Sequence, residues 1–315
     1  MRSIRYYPPG VRVYHVTSKC VDDQFLWRPT EQTTFIIARA LAATIDKYRI
    51  GLFAVVVMAN HFHFVVRAEE NQLSAAMQFF KSQMALKLNP LLKRRGAMSR
   101  ERFSHQPVLD DESYTQLVHY VHANPVRAHC VERADQWPGL SSYSAVVGGR
   151  DSIEVAYFDE DAWAEAGKPR RLADFTEFVT VPLERAHQSQ GLSSLGFEAT
   201  CRALRSKMEA TEREMAIVRQ TSRARVPSRA SLMKLDPRSR PKEQSEAKPR
   251  PWAFGVADAV WAVRNAYRAM LEAYREASAK FRDTGVLGAF PAGTFPPWIG
   301  ASSVWAKSVV NSHWL

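Results

Sequence analysis

The chain has 315 residues, 46% of them hydrophobic, which suits one large or two modest globular domains with a real core. Its net charge of +11 favours a polyanionic partner, nucleic acid before an anionic membrane, because each neutralised phosphate releases counterions. The apolar runs are only strand-sized, residues 1–10 resemble no secretory signal, and Cys20, Cys130 and Cys201 make no Cys-x-x-Cys pair; a membrane span, a disulfide framework and a thiolate zinc knuckle are therefore excluded, and a reduced cytoplasm is expected.

In chain order, residues 11–17 (VRVYHVT) alternate as a strand does, and residues 31–48 have helical apolar spacing behind Thr30 as N-cap. Residues 51–58 (GLFAVVVM) and 61–67 (HFHFVVR) are two strands joined by a tight turn at Ala59 and Asn60. Residues 73–93 form a helical pattern that stops in the basic run ending at Gly96, and residues 106–109 are a short strand. Asp110, Asp111, Glu112 and Ser113 then offer N-cap groups, with Ser113 and Gln116 in capping-box spacing. The helix that follows is expected to end near Asn124, because Pro125 disfavours helical geometry in the residue before it. This order predicts an α+β fold, an antiparallel sheet with helices on one face.

Past residue 150 the expectation is a mainly helical basic extension. Residues 177–214 are helical in composition apart from a polar interruption at 186–194. Residues 219–250 hold ten basic side chains (Arg219, Arg223, Arg225, Arg229, Lys234, Arg238, Arg240, Lys242, Lys248, Arg250) against three acidic ones, and their prolines and serines predict an extended basic linker. A helical pattern resumes over 256–281, followed by a Pro- and Trp-bearing tail at 290–298. The domain plan is thus 1–150, a helical extension at 151–218, the linker at 219–250 and a small helical region at 251–315.

The chemistry concentrates in two short segments. In a strand, His61 and His63 face one side while Phe62 and Phe64 face the other, so both imidazoles can reach one cation. A lone histidine is usually a surface or core group; a His-x-His pair straight after a turn is as consistent with metal binding as with packing. Tyr120 and Asn124, four apart on a helix, share a face, a spacing also frequent by chance. His119 and His122 point away from that face and are expected to meet solvent or DNA.

MANHFHFVV at 58–66 resembles the histidine strand of the single-tyrosine HUH transposases, and YVHANPVRA at 120–128 resembles their catalytic helix. YHVTSK at 14–19, RFSHQPVLDDES at 102–113 and WPGLSSY at 137–143 extend the resemblance over about residues 8–145, nearest to the REP-associated tyrosine transposase group. Three positions depart from the family pattern: Ala59 stands where Pro is common, and Cys20 and His129 stand where Gly is common. All three concern turn geometry.

The resemblance implies a ferredoxin/RRM-like sheet in residues 1–150. It implies that His61 and His63 bind Mg²⁺ or Mn²⁺ with Asn124 as third ligand, and that Tyr120 is the nucleophile. Tyr114, the rival, lies in the first helical turn and lacks an amide four residues on. A neutral phenol is a poor nucleophile, so a nearby cation must help it ionise. The implied activity is cleavage and rejoining of single-stranded or hairpin DNA through a 5′-phosphotyrosine, by a monomer or a homodimer, with the monomer favoured. A domesticated hairpin-binding protein and a replication-initiator-type nicking enzyme are the alternatives. A zinc hydrolase fits worse, since no Glu adjoins the histidines to act as base.

Overall fold

The computed structural model describes residues 6–69, 72–99, 102–169, 171–185, 197–241, 253–292 and 294. The chain divides into two compact units, residues 12–256 and residues 1–11 with 257–315. Among the described residues no helix is long and apolar enough to cross a membrane.

The larger unit begins with β1 (Val13–Lys19), α1 (Glu31–Tyr48), β2 (Gly51–Val57), β3 (His61–Arg67), α2 (Gln72–Leu91), β4 (Ser104–Pro107) and α3 (Asp111–Arg127). The strands form an antiparallel sheet in the order β2-β3-β1-β4, a ferredoxin-like arrangement. Thr30 caps α1 as expected, its hydroxyl accepting from the Thr33 amide. Met58 N donates to the His61 carbonyl, so Ala59 and Asn60 are the central residues of the β2–β3 turn.

The two faces of the sheet follow from the period of two in β3. Phe62 and Phe64 meet Phe80 of α2, with ring centroids 5.6 and 5.3 Å apart. α1 and α2 pack together on this expected helix-bearing face. On the opposite face Ala54, Val56 and Val65 form a core with Leu117, Val118 and Val121 of α3.

α3 begins at one of the expected N-cap residues, without the Ser113 capping box, and ends later than expected. Its N-cap is Asp110, whose Oδ1 accepts from the Ser113 amide at 2.7 Å, so Ser113 is inside the helix rather than at its cap. At the other end the helix runs through Pro125 to Arg127. Proline lacks the amide hydrogen that would reach the Val121 carbonyl. The Asn124 side chain offsets this, its Nδ2 donating to the Tyr120 carbonyl at 2.8 Å and, at longer range, to Val121. The helix then closes with His129 N on the Val126 carbonyl and Cys130 N on that of Pro125, with His129 left-handed at φ 53°.

WPGLSSY protects a sheet edge. Val57 N donates to the Leu140 carbonyl, Ser142 N donates to the Val55 carbonyl, and the Trp137 indole donates to the Val57 carbonyl. The outer edge of β2 therefore has partners rather than open amides. α4 (Tyr143–Val147) follows.

The expected boundary at residue 150 falls inside this unit, and the expected helical extension opens with a hairpin. β5 (Ser152–Phe158) pairs antiparallel with β6 (Thr176–Pro182) across α5 (Glu160–Glu165). The hairpin lies on α1, where Tyr157 meets Phe35 at 5.6 Å and Glu177 pairs with Arg39 at 2.8 Å. Glu184 then donates its amide to the Leu52 carbonyl and grips Arg67 Nε with both carboxylate oxygens, at 2.8 and 2.9 Å. A Cβ on Gly51 would fall 1.7 Å from that carboxylate, so this approach needs glycine.

α6 (Phe197–Ser222) adds Leu204 and Met208 to the core of α3. Of the expected extended linker, residues 219–222 belong to α6, α7 (Arg229–Met233) buries Leu232 in the same core, and residues 242–250 lie outside the described residues. Phe25 N donates to the Ser239 carbonyl, tying this segment to the chain between β1 and α1. In the smaller unit α8 (Ala257–Thr284) carries Tyr267 against Tyr6, and Tyr274 and Phe281 against Phe290. Most of the expected 290–298 tail lies outside the described residues.

Candidate active site

Strand register sets the site. His63 pairs with Thr17, His61 with Lys19, and His15 with Gln106, so all of these side chains rise from the face that α3 covers. His15, Thr17, His63 and Gln106 are buried, an unusual run of polar groups for one sheet face. Their burial is tolerated where hydrogen bonds replace water.

The structure brings together the four candidate residues. The Tyr120 ring stands edge-on to His63 with centroids 5.4 Å apart, and 6.2 Å from His15. Tyr120 is 41% exposed, although it adjoins a 7% exposed His63. Asn124, one helical turn along, places its side-chain amide beside His61, close enough to favour the charged imidazole. His61 and His63 lie perpendicular at 5.1 Å. Tyr114, by contrast, is buried edge-on to Phe53 at 5.5 Å, and burial holds its phenol well above the ordinary range.

Both imidazoles use Nδ1 inward. His61 Nδ1 meets Asn60 Oδ1 at 2.7 Å, and His63 Nδ1 meets His15 Nε2 at 2.9 Å. Burial first, and the Lys19 charge second, push His61 down to about 4, against the Asn124 amide, so its imidazole is neutral at physiological pH. Lys19 is in turn paired with Asp23 at 3.6 Å. A neutral His61 and the His63 imidazole, each with Nδ1 engaged, beside an amide oxygen, are a donor set suited to a divalent cation. Among the described residues no group of three or more His, Cys, Asp or Glu is placed to hold a metal ion.

His119 and His122 are placed otherwise than expected. His122 is fully buried, bonds Ser142 Oγ at 2.7 Å, and is pushed down to about 3 by that burial. His119 bonds Thr211 Oγ1 of α6 at 3.0 Å. They hold the tyrosine helix to its neighbours rather than facing DNA. The residues that sequence reasoning passed over are His15 and Gln106. Both stand in the segments YHVTSK and SHQP that carry the family resemblance, which was the available signal.

No family model and no curated protein matches the chain. Two solved structures are similar to parts of it. One is a REP-associated tyrosine transposase bound to a REP hairpin, at 20% identity and TM-score 0.39 over 47% of this chain and 86% of that one. The other is a candidate transposase from Deinococcus radiodurans R1, at 16% identity and TM-score 0.28 over 38% of this chain and 95% of that one. Both likenesses are too distant to carry a function to this chain.

Proposed function

We propose that this chain is a metal-dependent DNA strand transferase of the single-tyrosine HUH kind, acting on single-stranded or hairpin DNA. The observation that carries the reading is the half-exposed Tyr120 ring set against His63, with Asn124 on the same helix face beside His61. A tyrosine that DNA can reach, beside a His63 imidazole that solvent barely reaches, suits a phenol that must meet a phosphodiester at a sheltered charge centre.

His61 and His63 through Nε2, with Asn124 through Oδ1, would hold Mg²⁺ or Mn²⁺, which when bound supplies positive charge to the phosphate oxygens and favours the phenolate. Tyr120 Oη attacks phosphorus, the Oη–P bond forms, and the P–O3′ bond breaks. The phenol proton is lost to solvent and the departing 3′-oxygen gains one. One strand is left joined to Tyr120 through its 5′-phosphate, and the other ends in a 3′-hydroxyl. The diester bond is conserved in that link, so attack by a 3′-hydroxyl rejoins DNA without ATP. The surplus of basic residues supplies attraction to phosphate.

The test is to incubate the full-length protein with end-labelled hairpin DNA and Mn²⁺, and to map any denaturation-resistant adduct by mass spectrometry. An adduct on the Tyr120 peptide is expected. An adduct at Tyr114 would overturn the assignment, and tight hairpin binding with no adduct would leave a DNA-binding protein instead.

A further inference from the structure

A line of polar side chains runs across the sheet to His63, and strand transfer as derived above uses only its last member. Gln106 Nε2 donates to Ser104 Oγ at 3.1 Å, Gln106 Oε1 meets His15 Nδ1 at 3.0 Å, and His15 Nε2 meets His63 Nδ1 at 2.9 Å. The His15 and His63 ring planes are 2° apart. With their nitrogens this close, the rings lie side by side as a linear N–H···N bond requires.

We propose that His15 is a positioning residue that fixes the tautomer of His63, so that His63 carries its proton on Nδ1 and its lone pair on Nε2. The inference rests on the proposed metal role of His63. Each step follows from what the groups can donate. An amide oxygen only accepts, so His15 Nδ1 must carry hydrogen. In its neutral form His15 carries a single N–H, so its Nε2 accepts. His63 Nδ1 must then donate, which makes Nε2 the ring's acceptor nitrogen, the atom a cation requires.

Two observations strengthen the case over a merely structural network. His61 has the same polarity by a shorter route, its Nδ1 meeting the amide oxygen of Asn60. One imidazole takes its orientation from an amide directly, the other through His15. His15 and Gln106 are also each 4% exposed, and the Phe254 ring lies edge-on to His15 at 5.5 Å. Phe254 is fixed there by its amide on the Pro107 carbonyl and its carbonyl on the Leu109 amide. In such a buried setting each bond along the chain is stronger than it would be in water.

The experiment uses full-length protein without metal, labelled with ¹⁵N-histidine, whose ring tautomers are assigned by NMR at neutral pH. Mn²⁺ binding is measured in parallel by calorimetry. Wild type is expected to show His63 protonated at Nδ1. His15→Leu removes the acceptor; His63 becomes a tautomer mixture and Mn²⁺ affinity falls about 10–100-fold, as when the outer partner of a ligating histidine is lost. His15→Gln returns an acceptor and restores most of both. Gln106→Leu, which keeps both rings, shifts the tautomer from the far end and stands in if His15→Leu does not fold. His63 protonated at Nε2 in wild type, or an unchanged tautomer and Mn²⁺ affinity in His15→Leu, overturns the proposal. Protein that gives the tautomer response without DNA adducts keeps this inference and loses strand transfer; adducts with an unresponsive tautomer do the reverse.

Discussion

The two faces of the four-stranded sheet share one backbone and differ in what their burial does. On the α1–α2 face Phe62 and Phe64 lie 4.3 Å apart over Phe80, and Trp27 closes on Phe62 at 5.5 Å. Each such side chain, fully buried, stabilises the fold by about 1.5–3 kcal/mol. On the α3 face the same strands bury His15, Thr17, His63 and Gln106, groups that cost free energy to desolvate unless bonded. The first face is apolar, whereas the second combines an apolar core around Ala54, Val56 and Val65 with a polar arrangement maintained against that cost. Substitutions on the first should therefore be felt as stability, and substitutions of the polar groups on the second as chemistry.

The sharpest break between them is Tyr120→Phe. It removes one partly exposed hydroxyl, so adduct formation on hairpin DNA should vanish while denaturation midpoints and DNA affinity stay at wild type. Adducts formed by this variant would end the nucleophile assignment. Next in size, His61→Ala and His63→Ala should each lose most Mn²⁺-dependent cleavage, and EDTA should do the same to wild type; cleavage by either variant at the wild-type rate in EDTA refutes a metal role. On the other face, Phe64→Ala should cost about 3–5 kcal/mol in urea unfolding. A cost under about 1 kcal/mol would show that the apolar face is not the main stabilising layer.

A gentler comparison concerns charge outside the sheet. Arg223, Arg225, Arg238 and Arg240 are exposed, whereas Arg219 is buried and Arg229 stands 3.9 Å from Glu31. If the four exposed groups meet phosphates, changing all of them to Gln should flatten the slope of log K against log salt by about 3 for single-stranded DNA. Equal slopes would make the segment a structural tie, as the burial of Leu232 already makes part of it. Truncation near residue 147 would not test this, because it removes Leu204 and Met208 from the core. Smallest of all, His129→Gly should raise stability by about 1 kcal/mol, since a left-handed β-carbon is strained and glycine is not. Unfolding that is unchanged or easier would argue that the imidazole has a role of its own.

Much of the first half was legible from local periodicity. α1 and β3 have the bounds their spacing predicts, and Thr30 caps as its position suggests. β1 and β4 are each displaced by two residues, because strand ends are set by partners rather than by propensity. The hairpin of β5 and β6 went unread, although Ile153, Val155 and Tyr157 alternate, since the composition around it is helical. The exposed placement expected for His119 and His122 rested on their pointing away from the Tyr120–Asn124 face; Thr211 and Ser142 lie too far along the chain for helical spacing to show them as partners.

For the site the division is similar. Spacing alone set His61 beside His63 on one strand face and Tyr120 beside Asn124 on one helix face, because periods of two and 3.6 are properties of the backbone. Tertiary structure alone brought the two pairs together, by laying α3 on the histidine face of the sheet. It alone also aligned His15 with Gln106 across 91 residues and with His63 across 48. Register between strands distant in sequence depends on the summed packing of both faces, and no local pattern carries that sum.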